Sequence, residues 1–170
     1  MKISELFYPS YGSSLDLNKL TTCSRSKNNC VNFVSRSSQN LGIVAMVRKI
    51  EGKDPFDAGC ITVTLGGTYL LSAFVQPEPF YTAQNLMVLI PKKTMSFEDK
   101  IYYCLCISRN RFKYSAFGRE ANRTLLNLEL PDTIPEFVGH ENINMIKSRI
   151  SDIILNILEQ RNSLSTRQHN

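Results

Sequence analysis

Five consecutive apolar residues, Leu86-Met87-Val88-Leu89-Ile90, run straight into Pro91. An unbroken apolar run of that length suits a strand buried on both faces, and the proline, with no amide proton to give, ends it. A doubly buried strand needs other strands around it, and the upstream sequence offers them. Val31-Asn32-Phe33-Val34 is one. Ile43, Ala45 and Val47 alternate in a second, and Ile61, Val63 and Leu65 alternate in a third. The third meets Gly66-Gly67, a hairpin signal because tight hairpin turns need positive φ, so residues 69–75 are expected as the return strand. Residues 76–82 hold Pro77 and Pro79 and cannot form a central strand.

The ends of the chain read differently. Ile3, Leu6 and Phe7, then Pro9 and Gly12, then Leu15, Leu17 and Leu20 suggest a brief helical turn and an irregular approach to the core. Residues 21–29 read as a polar surface loop. Downstream, residues 96–110 predict a helix. Ser96 stands as N-cap, Glu98 and Asp99 favour the positive end of the helix dipole, and Phe97, Ile101 and Leu105 repeat every four residues as a buried face. Leu126, Leu128 and Leu130 then alternate at strand period before Pro131. After Gly139 the isoleucines at 143, 146, 150, 153 and 157 recur at spacings of 3, 4, 3 and 4. They form a heptad seam that suits either packing on its own domain or association with another helix.

Charge is concentrated in one place. Residues 109–124 contain Arg109, Arg111, Lys113, Arg119 and Arg123 against the single acid Glu120, which is +4 of the chain's formal +5. A focused positive field implies a polyanionic partner. Phe112, Tyr114 and Phe117 are interleaved with the bases. Phe112 and Phe117 are expected first as core residues and second as stacking platforms.

The remaining composition mostly excludes. With 170 residues, 42% apolar and 21% charged, the chain is expected to fold as one soluble domain with a small appendage. No apolar run approaches a membrane span, and Met1-Lys2-Ile3-Ser4-Glu5-Leu6 lacks the apolar core of a secretory signal, so a cytoplasmic setting is expected. The five cysteines, 23, 30, 60, 104 and 106, have no metal-ligand spacing and are expected as reduced thiols. No phosphate-binding glycine loop, Gly-x-Ser-x-Gly elbow or metal site is visible, so no cofactor is expected. Glu51-Gly52-Lys53 matches the acid-x-Lys pair of metal-dependent nucleases, but its upstream acid, Asp16, lies in a leucine-rich pattern.

Binding is the better reading. Lys and Arg attract phosphate, while amides and forked guanidinium groups read base edges. Loops 35–40 and 76–84 supply the second kind of group. The candidate DNA contacts are therefore Arg36, Ser37, Gln39, Asn40, Gln76, Tyr81 and Gln84 for bases, and Arg109, Arg111, Lys113, Arg119 and Arg123 for phosphates. Ile143, Ile146, Ile150, Ile153 and Ile157 are the candidate interface.

The order and spacing of several stretches add a resemblance. They are residues 31–43 (VNFVSRSSQNLGI), 58–67 (AGCITVTLGG), 80–90 (FYTAQNLMVLI), 112–126 (FKYSAFGREANRTLL) and 130–135 (LPDTIP). Together they resemble the target recognition domain of type I restriction–modification specificity subunits and of the related type IIB systems. The resemblance implies an α+β fold in which a curved mixed β-sheet with small helices reads part of a double-stranded DNA site without a catalytic centre. It also implies a methyltransferase or endonuclease subunit as partner. Such domains normally come in pairs separated by long helices, whereas this chain holds one. The expected organisation is a recognition domain over 1–138, a dimerisation or docking helix over 139–162 and a flexible tail over 163–170, with a homodimer through the helix as one option. A small metal-dependent nuclease and a scaffold acting through the C-terminal helix are the alternatives.

Overall fold

The computed structural model describes residues 1–24, 29–114, 120–122 and 124–138. Backbone contacts divide the chain into two units, Met1–Thr133 and Ile134–Asn170. In the second, the described part is a short 3-10 turn, Glu136–Val138. The isoleucine seam lies outside the described residues.

The first unit is α+β, with two sheets where a single curved one was expected. A four-stranded antiparallel sheet has the order β1 (Phe7–Tyr11), β7 (Leu86–Pro91), β4 (Ile61–Thr64), β5 (Ala73–Val75). A three-stranded mixed sheet has the order β3 (Ile43–Arg48), β2 (Cys30–Val34), β6 (Phe80–Thr82), with β6 parallel to β2. The apolar run 86–90 is indeed part of a central strand. β7 pairs with β1 along Phe7↔Pro91 to Tyr11↔Met87 and with β4 along Ile61↔Leu89 to Thr64↔Leu86. Residues 86–89 are all buried. Leu86 and Val88 of β7 cluster with Val34 and Phe80 of the other sheet, and this contact holds the two sheets together. A second cluster, Val31, Phe33, Val47 and Tyr81, takes in Leu15, Leu17 and Leu20 from the irregular N-terminal approach.

Four expectations change. β1 is a strand in spite of Pro9, because it lies at a sheet edge where a missing amide proton costs no ladder bond. The return strand of the 61–75 hairpin is only Ala73–Val75; residues 65–72 form a longer turn, with Gly67 at φ +78° and Leu71 at φ +58°. The 126–130 strand is replaced by a 3-10 turn, Leu125–Asn127, and an isolated bridge between Glu129 and Lys2. The buried leucines there are 125, 128 and 130, a spacing of three then two rather than a strand period. Cys23 and Cys30, expected as thiols, form a disulfide. Their segments meet on β3, where the Cys23 amide donates to Met46 O at 3.0 Å and Cys30 pairs with Arg48.

Helix α2 (Phe97–Arg109) starts as the sequence predicts. Ser96 Oγ accepts from the Asp99 amide at 3.0 Å, and Asp99 Oδ2 accepts from the Ser96 amide at 3.3 Å, a reciprocal capping box. Its buried side is not the expected one. Tyr103, Cys104 and Ile107 face inward, Tyr103 packing edge-on against Phe7, while Phe97, Ile101 and Leu105 are exposed, Leu105 at 59%. Two apolar stripes share this helix at adjacent angles, and spacing alone does not say which the sheet will take.

Truncating Ile107 to Ala should therefore cost about 2–5 kcal/mol of unfolding free energy, whereas Leu105→Ala should stay within about 0.5 kcal/mol of the parent. Urea unfolding of the two variants measures this directly. A larger loss at Leu105 would mean that the helix is turned the other way.

Candidate nucleic-acid interface

One rim of the molecule gathers the segments that carry the candidate residues. β2 and β6 end there side by side, the Ala83 amide donating to Val34 O at 2.8 Å. β4 ends there too, with the Leu65 amide donating to Asn85 O at 2.9 Å. Leu65 O in turn accepts from the Ala121 amide at 2.8 Å, and Gly66 bridges Glu120, so the far end of the basic run joins the same place. The C-terminal end of α2 arrives last. Ser108 Oγ donates to Leu71 O at 3.0 Å, and Arg111, on the following 3-10 turn Asn110–Tyr114, donates through Nη2 to Thr68 O. Segments far apart in sequence (35–42, 65–72, 83–85, 108–111 and 120–122) thus form one surface.

The 35–42 loop on this rim is held from inside. Ser37 Oγ accepts from the Gln39 amide at 3.1 Å, the Ser35 amide donates to Gly42 O at 2.8 Å, and the Gly42 amide donates to Gln39 O at 2.8 Å. Asn40, Leu41 and Gly42 take φ values of +47°, +56° and +80° in succession. Asn40 tolerates the left-handed region and steadies itself by donating through Nδ2 to Ile43 O at 3.0 Å. Gly42 is needed sterically as well, since a Cβ there would stand 3.1 Å from Val34 Cγ1 and 3.2 Å from Ser35 O.

Gln76 and Tyr81 require correction as base contacts, because both side chains are completely buried. Gln76 Nε2 donates to Leu41 O and to Thr62 Oγ1, both at 2.9 Å, so this amide pins the 35–42 loop to β4 from beneath. Tyr81 packs in the second core cluster; its hydroxyl donates to Lys53 O and accepts from the Ile50 amide at 3.2 Å. Arg36, Gln39, Asn40 and Gln84 are exposed and Ser37 is half-buried; Arg109, Arg111 and Lys113 are exposed too. Arg119 and Arg123 lie outside the described residues, as does Phe117. Phe112, expected in the core, is 69% exposed between Arg111 and Lys113. The 66–69 turn was not among the segments expected at this surface. The glycine pair read as a hairpin marker, and nothing local shows that two arginines will reach it.

Burial pushes the Cys104 thiol up to about 12, and burial together with Asp57 raises that of Cys60. Glu51 and Lys53 are exposed at a turn closed by the Ile50–Lys53 bridge, and Asp16 accepts from the Asn18 amide to cap a 3-10 turn. Among the described residues no group of three or more His, Cys, Asp or Glu could hold a metal ion. Among them too, no helix is long and apolar enough to cross a membrane.

No protein-family model and no curated protein matches the chain. Solved structures do. Over 92% of its length the chain is similar, with a TM-score of 0.60 and 14% identity, to a chain in a structure addressing complex assembly and conformational transition of the type I restriction–modification system. It is also similar, with a TM-score of 0.45 and 13% identity over 66% of its length, to the type I restriction–modification S subunit from M. genitalium. It spans 39% and 26% of those chains. At such identities the likeness is one of fold alone.

Gln76→Leu keeps the bulk and deletes the amide. It should leave Leu41 O and Thr62 Oγ1 without this donor and cost about 1–3 kcal/mol. Hydrogen exchange should then quicken at the Gly42 amide more than at the amides of β7. Uniform protection across both sites would show that Gln76 does not hold the loop.

Proposed function

We propose that this chain is a sequence-specific DNA-recognition module of a restriction–modification system. It directs a partner methyltransferase or endonuclease to its site in the cytoplasm and performs no chemistry itself. One observation carries the reading: the amide-bearing 35–42 loop and the start of the basic run both come to the 66–69 turn, Arg36 from one side and Arg111 from the other. The shared rim suits a duplex, because phosphate contacts and base contacts must be made together. Gln39, Asn40 and Gln84, exposed at the tip, and the half-buried Ser37 are the proposed base readers. Arg109, Arg111 and Lys113, continued by Arg119 and Arg123, supply the phosphate attraction. The solved relatives are longer than this chain, so a second recognition module and a docking partner are part of the proposal.

The test is duplex binding as a function of salt, followed by binding-site selection. Arg111→Ala with Lys113→Ala should weaken all sequences alike and reduce the slope of log K against log salt by roughly one unit per lost contact. Gln39→Ala, Asn40→Ala or Gln84→Ala should instead relax discrimination by about 1–3 kcal/mol at one base pair each. A wild-type protein with no salt-dependent affinity for any duplex would defeat the reading.

The isoleucine seam at 143, 146, 150, 153 and 157 is proposed to meet a second copy of the chain or the methyltransferase subunit. A stripe of that size needs cover, and two linked modules bind a split site with much greater avidity than one. The variant carrying Ile150→Glu and Ile153→Glu should keep the circular dichroism of the recognition domain, sediment as a monomer and lose affinity for a bipartite site. If wild type and variant are both monomers of equal affinity, the seam is no interface.

A further inference from the structure

We propose that the recess between Arg36 and the turn 66–69 seats a backbone phosphate of the bound duplex. This makes Arg36 a clamp on the DNA strand rather than a reader of bases, and it rests on the DNA-binding reading above. The recess has a volume of about 330 Å³ and is lined by Ser35, Arg36, Gly66, Gly67, Thr68 and Tyr69. Its shape decides what it can take. A base edge lies at the bottom of a groove and must be reached by a projecting side chain, whereas the sugar–phosphate strand is a ridge that fits into a hollow. The lining contains one cation, three hydroxyl groups and no carboxylate. Glu120, opposite Gly66, is the nearby acid; it is exposed and accepts from Asn122 Nδ2 at 3.4 Å.

Both walls are held in place before any ligand arrives. On one side Arg36 leads into the loop that Gln76 pins through Leu41 O. On the other, Thr64 Oγ1 donates to Tyr69 O and accepts from the Ser72 amide at 3.0 Å, and the Leu70 amide donates to Gly67 O at 3.2 Å. Arg111 grips Thr68 O from outside. Gly67 keeps the hollow open. Gly67 sits at φ +78°, and a Cβ there would come 3.9 Å from Arg36 Nη1, in the space that a phosphate oxygen needs. A guanidinium fork across from bare backbone, with rigid walls, matches phosphate recognition.

The experiment pairs Arg36→Ala with a duplex series in which each phosphate in turn is a neutral methylphosphonate. Arg36 is exposed, so the variant should melt with the wild type. Arg36→Ala should weaken every sequence by the same factor and lower the salt slope by about one unit. One methylphosphonate position should weaken the wild type but have no further effect on the variant. Arg36→Lys should keep most of the affinity. Relaxed selection at a single base pair with an unchanged salt slope would overturn the proposal and return Arg36 to the base readers, leaving the DNA-binding reading intact. The same sensitivity of variant and wild type to every methylphosphonate would also overturn it. Absence of duplex binding by the wild type would instead remove the reading on which it rests.

Discussion

The pairing of β7 along both edges is the constraint from which the rest follows. Residues 86–89 are buried on both faces, so every amide and carbonyl in that strand must find a partner in a neighbouring strand or be left unsatisfied away from water. β1 and β4 supply those partners. Because β4 runs antiparallel to β7, its end is carried back beside the beginning of β7, and Leu65 meets Asn85. The same strand places Leu86 and Val88 against Val34 and Phe80, which brings the ends of β2 and β6 to that rim. A surface assembled from five chain segments is therefore a consequence of how one apolar strand is satisfied.

Polar atoms in the interior then determine how still that surface is. Gln76 is fully buried, a place where an amide costs free energy unless its hydrogen bonds are made. Its Nε2 makes two, and one of them fixes a carbonyl in a loop with three successive left-handed residues. Such a backbone would be expensive to hold by itself. The buried amide and the left-handed loop thus account for each other. A loop held this way loses less entropy when it meets a ligand than a loop that must be ordered on contact.

How much of this was legible follows from the range over which each interaction acts. β2, β3, β4 and β7, and the cap of α2, depend on alternation, an apolar run or a residue three places away, and they stand where the local pattern puts them. The inward side of α2 was misread because Phe97, Ile101 and Leu105 make as good a stripe as Tyr103, Cys104 and Ile107. Only the sheet beneath chooses between them. Gln76 and Tyr81 were misread for the opposite reason: residue type suggested a loop group, and a parallel pairing with β2 and a bond to Leu41 put them inside. The Cys23–Cys30 disulfide depends on a return of the chain to β3 that no cysteine spacing announces.

The site was legible in its ingredients and not in its arrangement. Basic residues and amides were visible as two separate stretches, but the turn 66–69 to which Arg36 and Arg111 both come carries no charge and looked like punctuation. Its contribution is backbone and empty space, which composition does not record. That difference matters for how such a surface can change. Groups at the loop tip, such as Gln39 and Gln84, are exposed and bear little on packing, so they can be exchanged at small cost in stability. The turn 66–69, by contrast, is tied to Thr64, Ser72 and Arg111, and Gly67 has a backbone that side chains strain. The physical division is between a tip free to vary in what it reads and a seat held constant in how it grips, and both are carried by the ends of the same buried strands.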